Sequence, residues 1–177
     1  MSSINDISSS VSVKRINRIL SMLISYMKEL DDEDRDLPIR WNIMHMYSSS
    51  QLAKMIAMRR GLNIEVASIA AALHDIGVVV TKRRKNHAQN AENIVADFIK
   101  KYNTEIRKDL TEITEEEKNS IIKAVIHHSE KDVFSDDPMV ELLKDVDSID
   151  RYLHGVKSEG VYLKRCKKVL KELNLLF

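Results

Sequence analysis

The spacing of apolar residues along the chain predicts a protein built from helices. Apolar side chains recur at intervals of three and four residues, which places them on one face of a helix. Pro38 suits the first turn of a helix. Glycine readily adopts the left-handed conformation that follows a helix, so we expect Gly61 and Gly77 to be stops. The predicted helices cover residues 11–30, 38–60, 64–76, 87–102, 114–128, 138–154 and 161–173.

The segments between these helices are short and polar, with one exception. Val78–Val80 is a β-branched run, and we expect it to be a connector packed under the site that His74 and Asp75 form. The acidic run 31–36 predicts a solvent-exposed loop. The basic run 82–85 has two interpretations: an exposed loop, or a rim that attracts phosphate. Residues 1–10 are polar and rich in serine, and we expect them to be frayed.

Composition supports the all-α class and sets the domain organisation. Only 4 glycines and 2 prolines occur in 177 residues, which favours helices over turns and strands. This length suits one domain with extensions. We expect a central domain over 38–155, an N-terminal extension over 1–37 that packs on it, and a C-terminal helix and apolar tail over 156–177. The tail either joins the core or contacts a second copy, so a homodimer is possible.

Charge and cysteine content exclude several classes of protein. A formal net charge of +1 gives no general attraction to nucleic acid, and the basic run is too short and too poor in aromatic residues to be a nucleic-acid platform. The polar N-terminus predicts no signal peptide, and we expect no apolar run of about 18 residues, the length of a membrane span. Cys166 is the only cysteine, which excludes an internal disulfide and fits the cytoplasm.

Six polar side chains fall on the inward faces of the predicted helices. They are His45, His74, Asp75, His87, His128 and Asp147. A buried carboxylate is costly unless it is paired or binds a metal. Imidazole and carboxylate groups suit Mn, Fe, Co, Ni or Zn. Six groups allow either one octahedral ion or a pair of ions, in which the two oxygens of Asp75 would form the bridge. His127 lies opposite the apolar face and is the weaker candidate.

The order of these residues resembles the HD superfamily of metal-dependent phosphohydrolases. The central motif is HDIG at 74–77, and NHAQNAENIVADFI at 86–99 is similar to the family's helix with an extra histidine. AVIHHSE at 124–130 is similar to a segment of the small-hydrolase branch, and LLKDVDSID at 142–150 resembles the segment with the last metal ligand and a second acid. The resemblance covers roughly residues 40–155.

The resemblance implies a bundle of about seven or eight helices around a metal site with one or two divalent ions. His45, His74, Asp75 and Asp147 would hold the first ion. His87 and His128 would hold a second ion or contact the phosphate of the substrate.

The implied activity is hydrolysis of a small phosphorylated molecule, often a nucleotide. In that reaction Asp75 would orient or deprotonate the nucleophile, with His128 and Asp150 as further catalytic candidates. Lys82 or another residue of the basic run would neutralise developing charge.

The chain departs from the family pattern at two positions. Val78 stands where many members have a lysine directly after the HDxG motif, and Val146 stands where alanine is usual. If that lysine normally neutralises the substrate, then Lys82 or Arg83 replaces it, or the activity differs. Two alternatives stay open. The six ligands, with His87 and His128 among them, permit a di-iron enzyme that oxidatively cleaves C–C or C–P bonds, and the missing lysine supports a metal-stabilised nucleotide-binding module without turnover.

Overall fold

A computed structural model describes residues 13–175, and this part of the chain folds into α-helices with one π-helical turn and no strand. This confirms the predicted all-α class. The helices are α1 (Lys14–Lys28), α2 (Ile39–Arg60), α3 (Ile64–Leu73), α4 (Ile76–Thr81), α5 (His87–Lys101), α6 (Glu115–His127), α7 (Pro138–Leu153) and α8 (Gly160–Glu172). The π-helical turn, Tyr102–Ile106, extends α5.

Helix α3 lies at the centre of the bundle. It packs against α1, α2, α6 and α7, and every side chain from Glu65 to Leu73 is buried. Seven of these nine residues are apolar and the others are Glu65 and Ser68, which explains why the helix is surrounded on all sides. Its C-terminal end therefore delivers the His74–Asp75 pair to the middle of the protein.

The predicted ends of several helices are confirmed. Gly61 ends α2 with a left-handed φ of 67°. The side chain of Asn63 accepts a hydrogen bond from the N–H of Val66 and so caps α3. Thr114 and Glu117 form the predicted capping box at the start of α6. All three signals are local: the stop depends on a single glycine, and each of the two caps depends on residues three positions apart.

The prediction that α3 continues to Gly77 is wrong, as is the prediction that Val78–Val80 is a connector. Helix α3 ends at Leu73, and α4 begins at Ile76 with Asp75 as its N-cap residue. Successive side chains in one helix point about 100° apart. The break between the helices lets both His74 and Asp75 face the same point.

Gly77 lies inside α4 and is required for close packing, not for a stop. A Cβ atom built on Gly77 would lie 2.0 Å from the carbonyl oxygen of His87, which belongs to the backbone of α5. Helix α4 therefore approaches the start of α5 more closely than any larger residue allows. This contact fixes the position of the His87 backbone and therefore the point from which its side chain extends.

The acidic run, predicted to be a solvent-exposed loop, pairs with the basic run, for which an exposed loop and a phosphate-attracting rim were both open. Arg83 Nη2 lies 2.6 Å from Asp34 Oδ2, and Lys82 Nζ lies 3.4 Å from Asp31 Oδ1. The backbone N–H of Arg84 donates to the Asp36 carboxylate at 2.8 Å. Exposed ion pairs of this kind stabilise weakly one by one, but together they hold the loop before α5 against the end of the N-terminal segment.

The segment Ile64–Thr81 has the length and apolar composition of a membrane span. The expectation that no apolar run reaches about 18 residues is therefore wrong. In the fold, 78% of this segment is buried inside the bundle, and the turn at His74–Asp75 divides it into α3 and α4. A core helix passes the same test of length and composition, so the segment is weak evidence for a membrane.

Both terminal helices share the core of the bundle. Ile16, Leu20 and Leu23 of α1 and Cys166 and Val169 of α8 belong to the same cluster of buried side chains as α3. The expected fraying of residues 1–10, the start of the first predicted helix at 11 and the end of the apolar tail at 176–177 lie outside the described residues. Within the described chain, Leu175 is more than half exposed.

Candidate metal centre

The structure brings all six inward-facing candidates together at the centre of the bundle. They come from five places in the fold: His45 from α2, His74 and Asp75 from the turn after α3, His87 from the start of α5, His128 from the end of α6, and Asp147 from α7. The cluster thus depends on contacts between residues up to 102 positions apart in the chain. His127, the weaker candidate, is 41% exposed and pairs with Glu130.

The first group of ligand atoms consists of His45, His74, Asp147 and one oxygen of Asp75. The Nε2 atoms of His45 and His74 are 3.0 Å apart. Asp147 Oδ1 lies 3.1 Å from His45 Nε2 and 3.7 Å from His74 Nε2. Asp75 Oδ2 lies 3.6 Å from His45 Nε2 and 3.7 Å from His74 Nε2.

The second group consists of His87, His128 and the other oxygen of Asp75. Asp75 Oδ1 lies 3.1 Å from His87 Nε2 and 3.5 Å from His128 Nε2. The two Nε2 atoms are 3.1 Å apart. The Asp75 carboxylate therefore stands between the groups and presents one oxygen to each.

Every ring is oriented by a hydrogen bond at its other nitrogen. In three histidines Nδ1 meets the carbonyl oxygen of the residue three positions earlier, at 2.7–2.8 Å: His74 with Ala71, His87 with Arg84, and His128 with Val125. His45 Nδ1 meets Asp150 Oδ2 at 2.5 Å. A carbonyl oxygen only accepts, so those three Nδ1 atoms carry a proton and donate, and each ring presents its Nε2 atom to the cluster.

This donor set fits a divalent transition metal ion. Four imidazole nitrogens and two carboxylates converge, and a buried carboxylate is costly unless it is paired or binds a metal. Separations of 3.0–3.7 Å suit neighbouring ligands of one ion with bonds of about 2.1 Å. Nitrogen and oxygen donors without thiolate suit Mn, Fe, Co, Ni or Zn. The two groups leave room for one ion or two.

The electrostatics of the cluster favour a cation. Burial lowers the pKa of His45, but hydrogen bonds with Asp147 and Asp150 outweigh burial and raise that pKa to about 10. Burial favours the neutral form of Asp75, yet the neighbouring histidines hold the pKa of its carboxyl well below the ordinary range. Burial lowers the pKa of His128 to about 4, so this ring stays neutral and keeps its lone pair.

Lys131 is also part of the cluster, although no sequence pattern predicts it. Its side chain is buried, and Nζ lies 2.6 Å from Asp147 Oδ2. Nζ also donates to the carbonyl oxygen of His128 at 2.5 Å. Burial lowers the pKa of this lysine. Lys131 therefore occupies one oxygen of Asp147 and leaves the other, Oδ1, to face His45. It lies in a short turn after α6, where no helical period predicts direction.

Two of the predicted catalytic residues lie apart from the ligand atoms. Lys82 is held by the acidic run, where its Nζ also donates to the carbonyl of Glu33, and it is not among the residues that line the cavity beside the cluster. Its role in neutralising substrate charge stays a prediction. Asp150 lies behind His45 and orients that ring. Asp150 is therefore a positioning residue: its carboxylate makes the His45 ring more basic and fixes its direction.

A cavity of about 330 Å³ opens onto the cluster. Asp75, His87, His128 and Asp147 line its inner end. The remaining wall includes Val78 and, among its polar side chains, Ser129, Arg84, Arg151, Ser158 and Tyr162. A site of this volume accommodates a small molecule. Val78 puts an apolar surface where the resemblance leads one to expect a lysine, and positive charge comes instead from arginines.

The comparisons with known proteins agree with this geometry. The model of the HD domain family matches residues 42–154, well over half of the chain. The chain belongs to the HD domain family. No curated protein and no solved structure matches it. HD domains are mostly metal-dependent hydrolases, and the matched range contains all six ligand candidates of this HD domain.

Replacing Gly77 by alanine tests the link between helix packing and the second group. The new Cβ atom would collide with the backbone of His87, so we expect Gly77→Ala to lower the free energy of unfolding by about 1–3 kcal/mol and to weaken metal binding. Denaturant unfolding and metal content per chain measure the two effects.

Gly61→Ala is the matched control for that substitution. Gly61 follows directly after the last residue of α2, but nothing lies within 4 Å of the position that a Cβ atom would take. Its left-handed φ of 67° predicts a strain of about 1 kcal/mol in the variant, with unchanged metal content. If Gly77→Ala also bound metal like the wild type, α4 would not determine the position of His87.

Proposed function

We propose that this HD domain protein is a metal-dependent phosphohydrolase that acts on a small phosphorylated molecule, such as a nucleotide, in the cytoplasm. The observation that carries the proposal is the position of Asp75. Its carboxylate presents one oxygen to each group of histidines and also lines the cavity. Metal ligands and a substrate-sized space thus meet at one side chain.

The residues of the chain have distinct roles in this proposal. His45, His74, Asp75 and Asp147 hold a metal ion, and His87 and His128 hold a second ion or contact the phosphate. A bound divalent ion lowers the pKa of a coordinated water toward about 7 and polarises the phosphoryl oxygens. Asp75 is ionised, so it accepts a hydrogen bond from the attacking water and orients it toward phosphorus.

The wall of the cavity supplies the rest of the chemistry. His128 is neutral because burial lowers its pKa to about 4, so it acts as a lone-pair donor and not as a proton donor. Arg84 and Arg151 bring positive charge to the same space, which stabilises the charge that develops on a phosphoryl group. Asp150 keeps the His45 ring in place.

Phosphate release with added metal tests the proposal. We expect the wild type to release phosphate from one or more members of a nucleotide panel when Mn, Co or Ni is added. The His74→Ala, Asp75→Ala double variant should not, because it lacks ligands from both groups. Release that does not depend on added metal, or that is equal in the double variant, contradicts the proposal.

A di-iron oxidative enzyme is the second candidate, and the division of the ligands into two groups around Asp75 favours it. Metal analysis after anaerobic loading separates the two functions. About two irons per chain with a mixed-valence signal would support oxidative chemistry. A single non-iron ion with phosphate release would support hydrolysis.

A further inference from the structure

Only one residue of the basic run faces the cavity. Arg84 lines the cavity wall, whereas Lys82 and Arg83 point away and bind the acidic run. The backbone of Arg84 is held on both sides: its N–H donates to the Asp36 carboxylate at 2.8 Å, and its carbonyl accepts from His87 Nδ1 at 2.8 Å. The same residue that orients a candidate metal ligand therefore presents a guanidinium to the substrate space.

Arg151 brings a second guanidinium from a different direction. It lies on α7 four residues after Asp147, and residues four apart share a helix face. Its side chain is half-buried and lines the same cavity. Two helical regions that are distant in sequence thus place guanidinium groups around one space that ends at the metal ligands.

Neither of these arginines has a carboxylate partner among residues 13–175. Some partly buried arginines elsewhere in this part of the chain are paired with acids: Arg15 with Glu65 and Glu117, Arg60 with Asp145, and Arg165 with Glu141. Others, such as Arg35 and Arg107, bind backbone carbonyl oxygens and lie outside the cavity. The cavity also contains Lys157, but its ammonium group pairs with Glu159 at 2.5 Å. Arg84 and Arg151 are the cavity arginines, and among the described residues neither forms an ion pair.

We propose that Arg84 and Arg151 bind a second phosphate group of the substrate, one that is not hydrolysed. This inference rests on the proposed function, in which the metal ligands receive the phosphate that is hydrolysed. Guanidinium groups bind phosphate through paired, charge-assisted hydrogen bonds. The hydroxyl groups of Ser158 and Tyr162 line the same wall and are further donors. The substrate class is then a small molecule with at least two phosphates, either adjacent or on different carbons.

Three ligands that share one nucleoside test this inference. Adenosine 5′-monophosphate has one phosphate, adenosine 5′-diphosphate has a second one adjacent to it, and adenosine 3′,5′-bisphosphate has a second one at a distance. We expect the metal-loaded wild type to bind at least one of the two-phosphate ligands about 10–100-fold more tightly than the monophosphate, as charge-assisted hydrogen bonds predict. Calorimetry measures this ratio, and the tighter ligand identifies the arrangement of phosphates.

Substitution of each arginine shows whether that side chain causes the tighter binding of the two-phosphate ligands. Arg84→Met and Arg151→Met should each remove most of the advantage of the second phosphate. Arg83→Met, on the same loop but paired with Asp34 outside the cavity, should keep it. Thermal unfolding should be similar in the three variants, since neither cavity arginine has an ion pair with the described residues to lose and the Arg83–Asp34 pair is an exposed one that contributes little to stability.

The outcomes separate this inference from the proposed function. Equal affinity for one and two phosphates, or no binding of the two-phosphate ligands, overturns the inference. An equal loss for all three ligands in the arginine variants also overturns it, because the arginines would then hold the phosphate at the metal. Metal-dependent phosphate release, measured in parallel on the same ligands, reports on the proposed function alone: a tight second phosphate without release would leave the inference standing and reject hydrolysis.

Discussion

Asp75→Asn is expected to lower metal-dependent phosphate release at least about a thousandfold. Asparagine keeps the size of the side chain but replaces one anionic oxygen by an NH₂ group. Asp75 presents Oδ2 to His45 and Oδ1 to His87, so in either orientation of the amide one group of ligands meets an N–H instead of an oxygen. We therefore expect metal content per chain to fall as well. Phosphate release and elemental analysis of the same preparation measure both losses.

Asp150→Asn is the matched control for that substitution, since it changes a buried carboxylate that contacts the cluster only through His45. An amide at this position still accepts a hydrogen bond from His45 Nδ1. Loss of a positioning carboxylate typically costs about 10–100-fold in metal affinity or activity. Asp75→Asn should therefore be the more damaging change by a clear margin. Full metal content and turnover in Asp75→Asn would show that its carboxylate is not a shared ligand.

The sequence predicted those parts of the fold that depend on local rules. The caps at Asn63 and Thr114 and the stop at Gly61 each involve residues a few positions apart, and all are present. Gly77 was misread because glycine also ends helices, and only the approach of the His87 backbone reveals its role. That approach joins two elements whose relative position no local pattern encodes.

In the candidate site, too, local patterns predict some side-chain directions, and contacts between distant segments determine others. The direction of His128 followed from the apolar face of its helix, and its side chain is 1% exposed. The direction of Lys82 could not be read in this way, since it depends on the acidic run about fifty residues earlier. Arg151 was not predicted, although it follows Asp147 by one helical turn of α7 and so lies on the face that carries a predicted ligand.

Lys131→Met should destabilise the protein, and more strongly without metal than with it. Lys131 Nζ lies 2.6 Å from Asp147 Oδ2 in the buried centre. Removing one partner of a buried ion pair costs about 3–5 kcal/mol because the other charge is left uncompensated. With a saturating divalent ion, a second cation stands beside Asp147, and the loss should shrink. Denaturant unfolding in EDTA and in excess Mn measures the two free energies of unfolding.

Lys144→Met provides the comparison that makes this result specific. Lys144 is equally buried, and its Nζ lies 3.1 Å from Glu141 Oε1 and 2.6 Å from the carbonyl of Val133. Both lysines thus lose one buried carboxylate and one carbonyl partner, but Glu141 is not a candidate metal ligand. The loss in Lys144→Met should therefore be the same with and without metal. If metal reduced both losses equally, Asp147 would not be the carboxylate that the ion and Lys131 share.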